Sequence, residues 1–299
     1  MGHRGDNPGG RLAASVATAA ACVSFVTSPV IRRILVQRGI LDNPNHRSSH
    51  SQPIPRGGGW ACLAGASAGC LTAWAAGAPL PLRTGVGVLA LTLVGSADDA
   101  RGLDAKTRLA AQALVGGAAG AASGHRLADP LVVAATVNVV NFMDGINGIT
   151  SLTTAVWGAN AAHVGVTRNN AHVAIIGAAL GGSALGFLPH NLRERRMFLG
   201  DVGSYLIGSA MALTALHPSL TWRERALVLA PLAPYVADTG ATLAKRALQG
   251  KNVLEAHREH LYQRLANERG LGHVSVSAIY ASVAAATALL ARPLLKMSK

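Results

Sequence analysis

The run Asn138-Val-Val-Asn-Phe-Met-Asp-Gly-Ile-Asn-Gly148 directly follows an apolar stretch and guides the interpretation of the whole chain. Asn138, Asn141 and Asp144 recur at three-residue intervals, so on a helix they lie within roughly a third of its circumference. A carboxylate at the centre of a membrane helix costs about 2.5–3.5 kcal/mol, so an acid in such a chain indicates function. For a single Asn, interhelical hydrogen bonding is the alternative.

The composition is typical of a membrane protein. Half of the 299 residues are hydrophobic and only 14% are charged. Several Ala-, Gly-, Leu- and Val-rich stretches approach the ~20 residues that a bilayer-spanning helix needs. The 34 glycines suit close helix–helix contact in lipid. We therefore predict an all-α integral membrane protein, a polytopic bundle of about 10 transmembrane helices (10–11), in a single domain over residues 1–299.

Ten spans are predicted from these stretches, which places both termini on the same side. The spans are 12–31, 58–77, 79–97, 109–124, 127–141, 150–166, 171–188, 202–217, 225–238 and 274–291. The loops after the odd-numbered spans carry most of the Lys and Arg, so the positive-inside rule places them in the cytoplasm. The same loops carry most of the Asp and Glu. The active site is therefore predicted on the cytoplasmic face.

The net charge of +13 follows from this cytoplasmic bias, together with an anionic substrate. Nucleic-acid binding is accordingly not expected. Cys22, Cys62 and Cys70 lie within apolar segments without the spacing of metal ligands, so we interpret them as packed thiols.

Two acidic motifs lie at the ends of predicted spans. Asp98 and Asp99 end the third span, and adjacent carboxylates need cations, either a metal or basic side chains such as Arg108. A hydrated helix end is the alternative. Asp201 lies between glycines in the run 198–204, where backbone can approach a ligand and N–H groups of the next helix can meet a phosphate. A turn that caps the eighth span is the alternative there.

Basic segments lie on the same predicted face. The segment His257-Arg-Glu-His-Leu-Tyr-Gln-Arg264 offers imidazole and guanidinium groups for phosphate oxygens. Structural zinc is less favoured, because no thiolate or third histidine accompanies the pair. The loop 43–59, which contains Arg56, offers similar groups or serves only as a positive-inside anchor. The stretch 255–267 is predicted to form a short amphipathic helix at the membrane surface.

These loops together supply carboxylates, cations and amides on one face. Hard oxygen ligands beside substrate phosphates suit Mg²⁺, with Mn²⁺ as the alternative metal. Phosphoryl transfer at the membrane surface fits this set of groups. A secondary transporter or channel is the rival hypothesis, because intramembrane acids also bind cations or protons. It is less favoured, because the acids lie at loop mouths and no internal repeat is evident.

Five motifs in order resemble the polyprenyl-phosphate N-acetylhexosamine-1-phosphate transferases, the glycosyltransferase family 4 of the MraY and WecA types. They are PRGGG at 55–59, DD at 98–99, NxxNxxDGxxG at 138–148, FxGDxGS at 198–204 and the His-containing loop at 257–265. The resemblance implies a Mg²⁺-dependent enzyme of the bacterial inner membrane. Such an enzyme transfers a sugar-1-phosphate from a UDP-sugar to undecaprenyl phosphate and releases UMP. Membrane lipids are further partners, and a homodimer is left open.

The resemblance also implies roles for individual residues. Asp201 is expected to bind Mg²⁺, while Asp98 and Asp99 ready the lipid phosphate or help to hold the metal. His260 is expected near the diphosphate, and these four are the predicted catalytic residues. The predicted substrate-binding residues are Asn138, Asn141, Asp144, Asn147, Arg108, His257, Arg258, Arg264 and Arg56.

Departures from the family pattern favour one branch. Tyr262 and Gln263 stand where further histidines are common, and Asn147 stands where Asp is frequent. Together with FLPHN at 187–191, the wording HREHLYQRL resembles the branch that primes O-antigen or other surface glycans. The expected product is therefore the first lipid-diphosphate-linked sugar of a cell-surface glycan, with the sugar left open.

Overall fold

The helices of the structure coincide with the apolar stretches of the sequence. The computed structural model describes residues 7–44, 52–123, 127–192, 197–253, 255 and 257–293. Its helices are α1 (Pro8–Gln37), α2 (Gly59–Ala75), α3 (Leu82–Arg101), α4 (Ala105–Ser123), α5 (Ala128–Met143), α6 (Ile149–Thr167), α7 (Ala171–Leu192), α8 (Gly200–Ala215), α9 (Trp222–Leu229), α10 (Ala233–Leu248), α11 (Leu261–Gln263) and α12 (His273–Ala291). A 3-10 turn, Ala230–Leu232, joins α9 to α10, and a π-helical turn, Arg264–Glu268, continues α11. Residues 45–51 of the predicted basic loop lie outside the described residues.

Each predicted span falls on a helical segment, the ninth on the continuous stretch from α9 through α10. Within the described ranges, four segments are long and apolar enough to cross a membrane: Pro8–Gln37, Ala171–Leu192, Trp222–Leu248 and His273–Ala291. The α5 helix is apolar but shorter. The chain is an all-α membrane protein, and the figure of about ten crossings stays a prediction.

Local signals set several helix ends. Pro8 opens α1, where its missing N–H costs nothing, and the Asn7 side chain accepts a hydrogen bond from the first turn at 3.1 Å. The α9 helix begins with a capping box formed by Thr221 and Glu224. Gly148 precedes α6 with a φ of 88°, a conformation that glycine enters freely. Such ends fix where the loops that carry the polar motifs begin.

Small residues let α7 pack closely on α1. A Cβ on Gly182 or Gly186 would overlap the carbonyl oxygen of Ala17 or Ala21, respectively. Because each pair is spaced by one helical turn, the contact repeats along one helix face. This is the close packing that the glycine content predicts.

The α8 helix is the most enclosed element of the bundle. Its residues from Val202 to Ala215 are all buried, and α2, α3 and α5 pack around it. A helix that is apolar on all sides is expected in the interior of such a bundle. Because Asp201 lies in the first turn of α8, that carboxylate is attached to a rigid, central helix.

A short hairpin that the sequence did not predict precedes α2. Strand β1 (Leu41–Asp42) pairs antiparallel with β2 (Ile54–Pro55), and Arg56 then forms a parallel bridge with Phe198. Strands of two residues are too short for an alternating pattern to reveal them. The hairpin and the bridge connect the PRGGG loop to the loop before α8.

The helix predicted over 255–267 is wrong in its first half, although the stretch Leu261–Glu268 is helical. Helix begins only at Leu261, and Tyr262 and Ala266 are buried. Residues 257–260 are not helical. The His-containing loop therefore packs into the protein through His260, Tyr262 and Ala266.

Replacing Gly182 with Ala is expected to destabilise the bundle by about 1–3 kcal/mol, the usual cost of an extra methyl group in a packed core. The new Cβ meets the Ala17 carbonyl, so α1 and α7 must separate. Thermal unfolding in detergent measures the loss. Gly117→Ala is the matched control, because a Cβ there meets nothing within 4 Å. Equal melting temperatures for the two variants would contradict the close α1–α7 contact.

Candidate active site

Two loops pair through their backbones to form the floor of the site. Phe198 N donates to Pro55 O at 2.9 Å, and Gly58 N donates back to Phe198 O at 2.9 Å. Gly59 N donates to Leu199 O at 2.8 Å. These bonds bring the PRGGG and FxGDxGS motifs side by side, although they are far apart in the sequence.

Glycines permit this approach. A Cβ on Gly59 would overlap the backbone of Gly203, and a Cβ on Gly95 would overlap the carbonyl oxygen of Asp201. Gly200 has a φ of 78°, as its place before Asp201 suggested. The sequence predicted that this flexibility would admit a ligand, but here it admits neighbouring protein backbone. The α2, α3 and α8 helices consequently meet at the carboxylates.

Arg56 joins two of the predicted catalytic acids. Its Nε lies 2.6 Å from Asp99 Oδ1, and its Nη2 lies 2.5 Å from Asp201 Oδ2. Asn141 donates its amide to the other Asp201 oxygen at 2.6 Å and to Ser204 Oγ at 2.9 Å. Residues from four separate motifs therefore meet at one point.

Asp99 caps the N-terminus of α8 from another helix. Asp201 N donates to its Oδ1 and Val202 N to its Oδ2, each at 2.9 Å. A carboxylate at this end of a helix satisfies orphan N–H groups and interacts favourably with the helix dipole. In this structure Asp99 therefore occupies the two N–H groups that were expected to meet a phosphate.

Asp98 turns away from its neighbour and has its own cation. Its Oδ1 accepts from Leu103 N at 2.7 Å, and its Oδ2 lies 3.1 Å from Arg108 Nη1. Arg108 therefore supplies part of the predicted compensation, for Asp98 but not for Asp99. Separate partners for Asp98 and Asp99 relieve the repulsion expected between adjacent carboxylates.

Burial shifts the protonation of the paired acids, which lie just outside the predicted spans. Burial raises the pKa of Asp99 to about 6, although the Arg56 guanidinium acts in the opposite direction. Burial also raises the pKa of Asp201, again opposed by Arg56. Both shifts mean that negative charge is costly here without a cation.

The opening run divides between the site and the helix contacts. Asn141 reaches Asp201, and the half-buried Asp144 ends α5 nearby. Asn138 instead donates to Gln112 Oε1 on α4 at 2.6 Å, the interhelical alternative for a membrane Asn. The buried Asn147 meets α12 through its backbone, since its carbonyl accepts from the Ser277 hydroxyl.

The His-containing loop approaches Asp144 from α10 and α11. His260 is buried, and its ring lies 4.9 Å from that of His257 and 6.3 Å from that of Phe142, between centroids. The Tyr262 hydroxyl donates to Phe142 O at 2.9 Å. This loop therefore rests on the segment that precedes Asp144.

The two predicted arginines of that loop lie farther out. Arg264 is exposed and lies 3.5 Å from Glu268, while Arg258 is half-buried. Neither has a described contact with Asp201. Sequence reasoning did not assign Asp238, the partner of His260, to the site. The signal that could have found it is an acid directly after the apolar residues at the start of α10.

The donor set fits a hard divalent cation. The described residues contain no group of three or more His, Cys, Asp or Glu placed to hold a metal. However, Asp99 and Asp201 converge on one cation already, the Arg56 guanidinium. Mg²⁺ is usually bound by one or two carboxylates together with substrate phosphates, so a three-carboxylate cage is not needed.

A comparison with known proteins identifies the family. The sequence model of Glycosyl transferase family 4 matches residues 82–219, which contain the acid pair, the Asn141–Asp144 segment and Asp201. Over residues 82–219 the chain matches glycosyl transferase family 4. This match and the curated relatives described next confirm the predicted resemblance to the polyprenyl-phosphate hexosamine-1-phosphate transferase family.

Two curated relatives cover most of the chain, and a third covers less than a third of it. The decaprenyl-phosphate N-acetylglucosaminephosphotransferase of Mycolicibacterium smegmatis is 28% identical over 311 residues, 84% of this chain and 75% of the relative. The probable undecaprenyl-phosphate N-acetylglucosaminyl 1-phosphate transferase of Bacillus subtilis is 26% identical over 280 residues, 86% and 78% of the two chains. The phospho-N-acetylmuramoyl-pentapeptide-transferase of Clostridium botulinum is 42% identical over 90 residues, only 29% of this chain and 28% of the relative.

The protonation of Asp144 gives a pH-dependent prediction. Burial raises the pKa of Asp144 to about 8, although the Thr150 hydroxyl acts to lower it. In the unfolded chain an Asp ionises near pH ~4. As the pH rises from about 4 to 8, the unfolded state therefore releases a proton that the folded state keeps, and the protein loses stability.

Asp144→Asn removes this loss, so its melting temperature should rise relative to that of the unmodified protein between about pH 5 and pH 8. Asp104→Asn is the control. Hydrogen bonds from Thr107 hold the pKa of the exposed Asp104 below its ordinary value, so that residue stays ionised throughout the range. A pH-independent difference for Asp144→Asn would contradict the raised pKa.

Proposed function

We propose that the protein transfers an N-acetylhexosamine-1-phosphate from a UDP-sugar to undecaprenyl phosphate and releases UMP. The observation that carries this proposal is the meeting of Arg56, Asn141 and Asp99 at Asp201. These residues come from four motifs of one transferase family. A site that combines carboxylates, a guanidinium and an amide suits a diphosphate substrate bound with a divalent cation.

The chemistry is a substitution at phosphorus. An oxygen of the lipid phosphate forms a bond to the β-phosphorus of the UDP-sugar. The bond from that phosphorus to the bridging oxygen breaks, and UMP leaves with the electron pair. The product is a lipid diphosphate that carries the sugar.

The protein groups take the following roles in this proposal. Asp201, together with Asp98 or Asp99, would hold Mg²⁺, which would supply positive charge to offset that of the diphosphate. Asp99 also orients Asp201, because both of its oxygens accept backbone N–H groups of α8. Arg56 and Arg108 pair with carboxylates in this structure and can pair with phosphate oxygens when substrate enters.

The orientation in the membrane is part of the same proposal. The five motifs follow the first, third, fifth, seventh and ninth predicted spans. The loops after these spans lie on one side of the membrane in this arrangement and contain most of the Lys and Arg. By the positive-inside rule that side is cytoplasmic in the bacterial plasma membrane. UDP-sugars are then available to the site, while the apolar helices give the lipid acceptor access from the bilayer.

N-acetylglucosamine is the sugar we propose to test first. The two relatives named for N-acetylglucosamine match 84% and 86% of this chain, whereas the muramoyl-pentapeptide transferase matches 29%. Tyr262 and Gln263 in the His-containing loop favour the same assignment. The proposed pathway is the priming of an O-antigen or another surface glycan.

The experiment measures UMP release by the purified protein in detergent, with undecaprenyl phosphate and a panel of UDP-sugars. Release that requires the lipid acceptor and Mg²⁺ is expected, with UDP-N-acetylglucosamine among the active donors. Mn²⁺ serves as a second metal. No release from any donor, with folded protein and both metals supplied, would reject the proposed function.

Asp201→Asn is expected to lower turnover by at least about 100-fold. The variant loses the negative charge of the carboxylate that is proposed to hold the cation beside the reacting diphosphate. Asp104→Asn is the matched control. Asp104 lies on the loop between α3 and α4, and the described donors to its carboxylate all belong to Lys106 and Thr107 in the adjoining turn. Full activity in a folded Asp201→Asn variant would exclude Asp201 as the metal ligand.

A further inference from the structure

Asp238 is a buried acid on α10 that collects hydrogen bonds from three parts of the chain. It is 5% exposed. The described donors to its carboxylate are Thr242 Oγ1 (3.3 Å), His260 Nδ1 (3.3 Å), Leu261 N (2.9 Å), Tyr262 N (3.0 Å) and the Tyr280 hydroxyl (2.5 Å). Three of these donors belong to consecutive residues of the His-containing loop. One side chain therefore holds that loop in place.

The backbone bonds fix the start of α11. Leu261 and Tyr262 are its first residues, so their N–H groups have no acceptor within the helix. Asp238 supplies an oxygen to each. Because His260 directly precedes α11, the same contacts set the position of its ring.

The contact with His260 also selects a tautomer. An ionised carboxylate only accepts hydrogen bonds, so the ring nitrogen that faces it must carry the proton. That nitrogen is Nδ1. The other nitrogen, Nε2, is then left available to a substrate, an arrangement in which a carboxylate orients a functional imidazole.

The loop held by Asp238 lies against the opening run. The His260 ring stacks with Phe142, and the Tyr262 hydroxyl donates to the Phe142 carbonyl. A Cβ on Gly145 would overlap the same hydroxyl. Fixing the loop therefore also fixes His260 beside Asp144.

We propose that Asp238 is a positioning residue for His260: it holds Nδ1–H and the first turn of α11, and so presents Nε2 to the diphosphate of the UDP-sugar. This role rests on the proposed transferase function. Asp238 does not touch substrate. Its effect passes through the orientation of His260.

The ring state of His260 tests the geometry without any activity measurement. The full-length protein is labelled with ¹⁵N-histidine, and the His260 signals are assigned by their loss in His260→Gln. Protonation of Nδ1 is expected, whether or not Nε2 carries a second proton. A His260 ring with a bare Nδ1 and a protonated Nε2 overturns the proposal, even if UMP release is observed.

Asp238→Asn tests the functional consequence. In this variant an amide nitrogen replaces one carboxylate oxygen, so a donor faces the backbone N–H group of Leu261 or of Tyr262. The same change could reverse the tautomer of His260, because an amide nitrogen donates where a carboxylate oxygen accepts. We expect kcat for UMP release to fall about 10–100-fold, the range seen when partners of functional histidines are changed. The KM for the UDP-sugar should change by less than about threefold, because substrate contacts are retained. If folded Asp238→Asn has a kcat within about twofold of that of the unmodified protein, the proposal is overturned.

Glu259→Gln is the matched control, since Glu259 adjoins His260 in sequence but pairs with Arg246 and Lys251. Glu259→Gln should keep both the protonation of His260 Nδ1 and the kcat for UMP release. If kcat fell in Glu259→Gln as much as in Asp238→Asn, the loss would be due to the charge of the loop, and the proposal would be overturned. If Asp238→Asn does not fold, the spectrum of the unmodified protein still decides. Absence of UMP release from the unmodified protein rejects the transferase function alone, because the ring state is measured independently.

Discussion

The close backbone approach between the PRGGG loop and the start of α8 is the constraint on which the site depends. It requires glycine at position 59, because a Cβ there would overlap the backbone of Gly203. The same approach places Arg56 within ion-pair distance of Asp99 and Asp201. Without it, the carboxylates of α3 and α8 would meet with no cation from the PRGGG loop to offset their charge. Backbone packing and site electrostatics are therefore one feature of the fold.

Charge compensation explains how these acids can coexist in a partly buried region. Asp98 uses Arg108, while Asp99 uses Arg56 and the positive end of α8. In the proposed function, a divalent cation or a substrate phosphate that entered this region would exchange partners with groups already present. Because Arg56 contacts two acids at once, its departure leaves adjacent negative charge that favours a replacement cation. The arrangement is therefore suited to exchange between a resting ion pair and a metal–diphosphate complex.

The helices could be predicted from the sequence because each apolar stretch is long enough to carry its own signal. The Asp pair, Asn141 and Asp201 could be predicted because polar residues at the ends of such stretches are conspicuous. The pairing of residues 55–59 with 198–200 could not, since its strands are too short to show a period. Asn138 was assigned to substrate, but only the partner helix shows that Gln112 accepts its amide. Asp238 was overlooked because all of its donors but Thr242 lie 22–42 residues away in the sequence, on the His-containing loop and α12.

Asp99 and Asp238 use the same physical device in different parts of the molecule. Each accepts two successive backbone N–H groups at the start of a helix to which it does not belong, α8 for Asp99 and α11 for Asp238. Each of these helix starts adjoins a predicted catalytic residue, Asp201 or His260. A carboxylate used in this way orients a neighbouring group and has fewer lone pairs left for a metal. The hydrogen-bond partners of a buried acid therefore show whether it also fixes the start of a helix.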